Sequence, residues 1–158
     1  MRKPKIYLDT SVISHLDAPD TPDKMNDTLK LWEEIRQGMY EVYLSDVTLD
    51  EIDRCSEPKQ TRLVDYLSGI SYSVIPLNTE IEVVAKQFVD NGILTNKSLD
   101  DCRHIACSIV CDCDIIISWN FKHIVNYKTM RGVKLVSALS GYDEVIICTP
   151  TILVEGDD

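Results

Sequence analysis

The stretch Asp114-Ile115-Ile116-Ile117-Ser118 is apolar without alternation and polar at both ends, which is how a strand covered on both faces reads. Such a strand sits near the middle of a sheet with helices packed above and below it. Other short runs rich in β-formers lie at Lys5–Leu8, Tyr40–Leu44 and Tyr72–Pro76. Between them apolar residues recur at helical spacing. Ser11–Leu16 reads as one or two helical turns, broken by the proline-bearing loop Asp17–Asp23. Met25, Leu29, Trp32 and Ile35 mark an amphipathic helix that Gly38 stops.

Ser45-Asp46 is a capping signal for a helix over Val47–Arg54, and Pro58 starts another that runs through Leu63, Val64 and Leu67 to Gly69. Asn78 or Thr79 caps a helix with Ile81, Val84, Ala85 and Phe88 on one face, ended by Asn91-Gly92. Ser98-Leu99-Asp100-Asp101 opens the best-defined helix, with Cys102, Ile105, Ala106, Ile109 and Val110 expected inward. Val133–Val136 reads as a shorter strand and Val145–Cys148 as an edge strand before a polar tail. Strand and helix alternate without a repeat or a linker. The expected fold is α/β, a three-layer α/β/α sandwich around a mainly parallel sheet.

A chain of 158 residues with 44% hydrophobic and 27% charged residues fits a single domain, here 1–158 with a core from about residue 5 to 150. No apolar run is long enough to span a bilayer, and Met1-Arg2-Lys3-Pro4 leads straight into the first strand. A cytoplasmic protein with no membrane contact is expected. Six cysteines, at 55, 102, 107, 111, 113 and 148, form no Cys-x-x-Cys pair, so buried thiols are favoured over disulfides or a zinc ribbon. The net charge of −10 argues against nucleic-acid binding by global electrostatics. It suits a site that gathers carboxylates around divalent cations.

Asp9 ends the first strand, Glu51 lies in the helix after the second, Asp101 lies in the first turn of the helix before the central strand, and Asn120 follows that strand. In a parallel sheet these junctions share one edge, where open α/β sheets place their ligands. Asp9 is equally suited to cap the helix that follows it. Carboxylates brought together repel one another unless a positive charge sits between them, and Mg²⁺ or Mn²⁺ is the natural occupant of an oxygen-rich site. Thr10, Ser11 and Ser118 stand beside the acids and are candidates to hold a water or a phosphate oxygen. Lys122, Lys128, Arg131 and Lys134 form a positive cluster just downstream, with His123 among them. His104 and His123 read first as structurally satisfied histidines, and Trp119 as a core residue that also has a face to stack on a base.

Four segments carry a resemblance to a known family: Ile6-Tyr7-Leu8-Asp9-Thr10-Ser11-Val12-Ile13, Leu49-Asp50-Glu51-Ile52, Asp101-Cys102-Arg103-His104-Ile105-Ala106 and Ile117-Ser118-Trp119-Asn120-Phe121-Lys122-His123-Ile124. In this order they resemble the successive motifs of PIN domains, and most closely the small bacterial and archaeal type that includes VapC-like toxins. The last two motifs, at their mutual spacing, are the specific part.

The resemblance implies a Mg²⁺- or Mn²⁺-dependent endoribonuclease acting on RNA, commonly a homodimer and often encoded with an antitoxin protein. It assigns Asp9, Glu51 and Asp101 as metal ligands and, with Asn120, as the catalytic set. Asp101 rather than Asp100 matches, because the family's acid directly precedes the small residue and lies three before His-Ile-Ala. The departure is Asn120, where many members carry a fourth acid. Lys122, His123, Lys128 and Arg131 are the candidate RNA-binding residues. The alternative is a PIN-like module that binds RNA or a protein without cutting. Phosphatases of the haloacid dehalogenase type want Asp-x-Asp after the first strand, where this chain has Asp9-Thr10-Ser11, and glycine-rich phosphate loops have no match here.

Overall fold

The computed structural model describes residues 2–154. Five strands form one all-parallel sheet: β1 (Lys5–Leu8), β2 (Glu41–Ser45), β3 (Ser73–Ile75), β4 (Ile115–Ile117) and β5 (Ile146–Cys148), in the spatial order β3-β2-β1-β4-β5. β1 sits in the middle, with Tyr7 paired in register to Tyr43 on one side and Ile116 on the other. The chain therefore winds outward from β1 through β2 to β3, then returns to the other side of β1 for β4 and β5. The reversal falls between β1 and β4, and the crevice of a doubly wound sheet opens at the carboxyl ends of those two strands.

The side-chain alternation of β1 divides the core. Tyr7 points to a layer built by α5 (Thr79–Asp90), α6 (Leu99–Val110) and α7 (Tyr127–Ser140), where Ile81, Phe88, Ile105, Ala106 and Val133 are buried. Ile6 and Leu8 point to the opposite layer of α1 (Thr10–Ser14), α2 (Pro22–Arg36) and α4 (Lys59–Ser68), against Leu31, Trp32 and Leu63. α3 (Asp46–Asp53) crosses the carboxyl edge of the sheet and touches α1, α4 and α6. The three-layer α/β/α architecture read from the sequence is the one observed.

The capping signals work as expected. The Ser45 and Thr48 side chains make a reciprocal capping box at α3, and the Asn78 side chain accepts from the Ile81 amide at α5. At the amino edge, Asp114 accepts from the Lys5 amide at 2.7 Å and pairs with Arg2, which ties the start of β4 to that of β1.

The expected strand at Val133–Val136 is instead the middle of α7. Its β-branched residues suggested a strand, but Thr129, Gly132, Val133, Val136 and Ser137 are buried at helical spacing. The Asn126 side chain caps the first turn, and Gly141 ends the helix with φ of 78°. The segment expected to begin a polar tail starts with a short helix, α8 (Pro150–Leu153), packed on α2; residues 155–158 lie outside the described residues. Val110, expected inward, is only half-buried at the end of α6.

Candidate active site

Asp9 leaves β1 at the crevice and caps α1, its carboxylate accepting from the Val12 amide at 3.3 Å. Asp9 is thus a helix cap that also stands at the carboxyl end of β1. Its two oxygens also accept from Ser11 Oγ and Ser118 Oγ, each at 2.6 Å. Ser118 follows the last paired residue of β4, Ile117, just as Asp9 follows Leu8 of β1. Adjacent parallel strands deliver the acid and its hydroxyl donor side by side. Burial pushes the Asp9 carboxyl up from its ordinary value, and His104, Ser11, Ser118 and the Val12 amide pull it back down.

Glu51, on α3, accepts from Thr10 Oγ1 at 3.1 Å and from His104 Nε2 at 2.6 Å through the same oxygen, Oε1. Asp101, in the first turn of α6, meets His123 Nδ1 at 2.8 Å and Asn120 Nδ2 at 3.3 Å. Asp100 points away into an ion pair with Arg103, so Asp101 is the acid that faces the crevice. Asn120 contributes no charge: one end of its amide holds Asp101 and the other accepts from the His123 amide at 3.0 Å. It fixes the loop after β4 to the start of α6.

The residue behind Glu51 is His104. It is 2% exposed, lies one turn beyond Asp101 on α6, and its Nδ1 is 2.6 Å from the Tyr7 hydroxyl. Desolvation alone lowers an imidazole pKa. Here the Glu51 hydrogen bond and the charges of Asp9, Glu51 and Asp101 outweigh it, so the His104 pKa is raised. His104 thus contacts Glu51 directly and feels the charges of Asp9 and Asp101. The sequence reading of His104 as structurally satisfied understated this: its partner is one of the candidate acids.

The donor set is all oxygen: three carboxylates, an amide and the hydroxyls of Thr10, Ser11 and Ser118. That chemistry fits a hard cation such as Mg²⁺ or Mn²⁺. Among the described residues no three carboxylate, imidazole or thiol groups stand close enough together to hold a metal ion as they are placed. Each acid is turned to a hydrogen-bond donor of the protein. The six cysteines are free thiols, and burial pushes Cys107 and Cys113 up to about 12.

No family model matches the chain, and no curated protein is similar to it. Among solved structures, VapC20 of Mycobacterium tuberculosis, described as a Sarcin-Ricin loop cleaving toxin, matches with a TM-score of 0.58 at 17% identity over 89% of this chain and 98% of its own. VapBC2 from Rickettsia felis, solved bound to a DNA fragment from its promoter, matches with a TM-score of 0.56 at 13% identity over 92% of this chain and 98% of its own. The chain has the VapC fold. The architecture that the four motifs implied is thus found in three dimensions, at identities that carry the fold alone.

On this VapC fold the acids occupy the crevice, and a basic rim adjoins it. Lys122, His123 and Lys128 line a cleft of about 240 Å³ with Ser98 and Asn126, and His123 joins that cleft to Asp101. Arg131 lies further along α7, its guanidinium 5.8 Å from the Tyr127 ring centroid. Trp119 is 7% exposed and donates from Nε1 to Thr28 Oγ1 at 2.9 Å, so it packs rather than offering a face. Phe121, which the sequence reading passed over, is half exposed beside it, with Lys24 Nζ 5.3 Å from its ring centroid. In the sequence the only sign of this pairing was the aromatic next to Asn120. Among the described residues no helix is long and apolar enough to cross a membrane.

Proposed function

We propose that this chain is a divalent-cation-dependent endoribonuclease that hydrolyses RNA phosphodiesters at Asp9, Glu51, Asp101 and Asn120. The observation that carries the reading is the placement of Asp9, Glu51 and Asp101, each from a separate element, at the carboxyl-end crevice of a sheet with the VapC fold. Asp9, Glu51 and Asp101 would hold Mg²⁺ or Mn²⁺, whose chemistry is to activate water and stabilise charge on the attacking and leaving oxygens of an in-line displacement.

The protein's own part is orientation. Ser11 and Ser118 hold the two oxygens of Asp9, Asn120 and His123 hold Asp101, and Thr10 and His104 hold Glu51. Mg²⁺ sites are commonly completed by substrate phosphates rather than by an all-protein cage. Lys122, Lys128 and Arg131 supply the local positive rim that a chain of net charge −10 needs to meet a phosphate backbone, with His123 among them as a hydrogen-bonding group.

The relatives in fold extend the reading to biology: a toxin of a toxin–antitoxin pair, acting in the cytoplasm as a single domain, bound as a homodimer and restrained by an antitoxin protein. The test is incubation of the purified protein with a pool of structured and single-stranded RNAs in Mg²⁺, Mn²⁺ or EDTA. Cleavage with either ion and none with EDTA is expected. An absence of cleavage under all three conditions would replace this reading with that of a non-catalytic RNA- or protein-binding module.

A further inference from the structure

Glu51 is the most exposed of the three acids, with its side chain 31% accessible against 24% for Asp101 and a buried Asp9. It stands on an eight-residue helix at the rim of the sheet. A glutamate so placed has three free torsions and would lose rotamer freedom each time it engaged a ligand. Its neighbours remove that freedom in advance. Oε1 accepts from both Thr10 Oγ1 and His104 Nε2, whereas Oε2 has no hydrogen-bond partner among the described residues.

His104 is itself fixed from behind. Nδ1 is 2.6 Å from the Tyr7 hydroxyl, which in turn lies 2.7 Å from Ser45 Oγ, all within the buried layer between β1 and α6. A carboxylate only accepts, so Nε2 carries the proton that faces Glu51 whichever form the ring takes. The chain Ser45, Tyr7, His104, Glu51 runs from the core of the sheet to the crevice without a break, with every link between 2.6 and 2.7 Å.

We infer that Tyr7 and His104 form a positioning relay that clamps one oxygen of Glu51 and presents the other to the cation. The inference rests on the nuclease reading above and adds to it two residues that do not touch substrate. Partners of this kind, one bond removed from a metal, typically account for about 10–100-fold in metal affinity or activity. Loss of the relay should therefore appear as a demand for more cation, with the cutting step recovering once cation is supplied.

The experiment is a titration of RNA cleavage with Mn²⁺ for the parent, His104→Leu, His104→Gln and Tyr7→Phe, with thermal unfolding of each. The Mn²⁺ concentration for half-maximal cleavage should rise about 10–100-fold in His104→Leu. A smaller rise is expected in Tyr7→Phe, and partial recovery in His104→Gln, whose amide N–H can replace Nε2–H. A residue serving only the core would lower thermal stability and leave the half-maximal concentration where it was. That result, in whichever of His104→Leu and Tyr7→Phe remains folded, overturns the relay and leaves the nuclease reading standing. A parent whose cleavage does not respond to Mn²⁺ overturns both.

Discussion

Ser118 donates a 2.6 Å hydrogen bond to Asp9 across 109 positions of sequence, and it does so because β1 and β4 end in register. Leu8 is paired with Ile117, so the next residue of each strand emerges at the same height over the crevice. The acid and its donor are placed by the register of two adjacent parallel strands.

Ser118→Ala keeps that register and removes the hydroxyl that helps to hold Asp9 down against burial. The expected outcome is a folded protein whose RNA cleavage at neutral pH falls by about 10–100-fold, the usual cost of removing a partner of a metal ligand. Initial cleavage rates at fixed Mn²⁺, with circular dichroism as the folding control, check it.

At the opposite edge of the sheet Asp114 holds the Lys5 amide and Arg2, and the Arg2 hydrogen bond keeps its carboxyl below the ordinary value. A carboxyl lowered on folding adds stability above its unfolded pKa of about 4, and that stability is lost as pH falls through the lower folded value. Asp114→Asn should cost about 1 kcal/mol at pH 7, a modest figure because the group is partly exposed. Urea unfolding of both proteins at pH 7 and at strongly acid pH should show the difference at the first and its disappearance at the second.

Gly132 faces Ile93 so closely that a Cβ placed there would lie 2.7 Å from Ile93 Cδ1 and Cγ2. Alanine in mid-helix gains about 1 kcal/mol of propensity over glycine, but overpacking of a tight contact costs about 1–3 kcal/mol. Because Cγ2 is anchored directly on the Ile93 Cβ, the contact cannot be relieved by turning a chain end alone. Gly132→Ala should therefore be net destabilising by about 1 kcal/mol, and a double variant with Ile93→Ala should show favourable coupling between the two sites. Denaturant midpoints of the four proteins of the cycle measure it.

Much of this was legible because local signals and global fold agreed. The unbroken apolar run at Ile115–Ile117 marked a buried strand, and Ser45 and Asn78 marked helix starts by their capping chemistry. Asp9, Glu51, Asp101 and Asn120 could be placed on one edge because parallel strands present their carboxyl ends together. α7 was misread where Val133-Lys134-Leu135-Val136 offered β-branched residues, although Asn126 and Gly141 bracketed it as a helix. Hydrogen-bond pairing was out of reach. That His104 faces Glu51, and Tyr7 faces His104, depends on which face of α6 is turned to β1, and sequence spacing alone does not give the distance between side chains on different elements.

The most direct measurement of the central claim compares single-turnover cleavage of RNA by the parent, Asp9→Asn and Asp101→Asn at saturating Mn²⁺, with each variant shown to be folded. The account predicts a Mn²⁺-dependent cut by the parent that falls by more than about 100-fold in both variants, since in the proposed site each removes a ligand rather than a ligand's partner. Cleavage at the parental rate in either folded variant would contradict it and place the chemistry outside the crevice where β1 and β4 end.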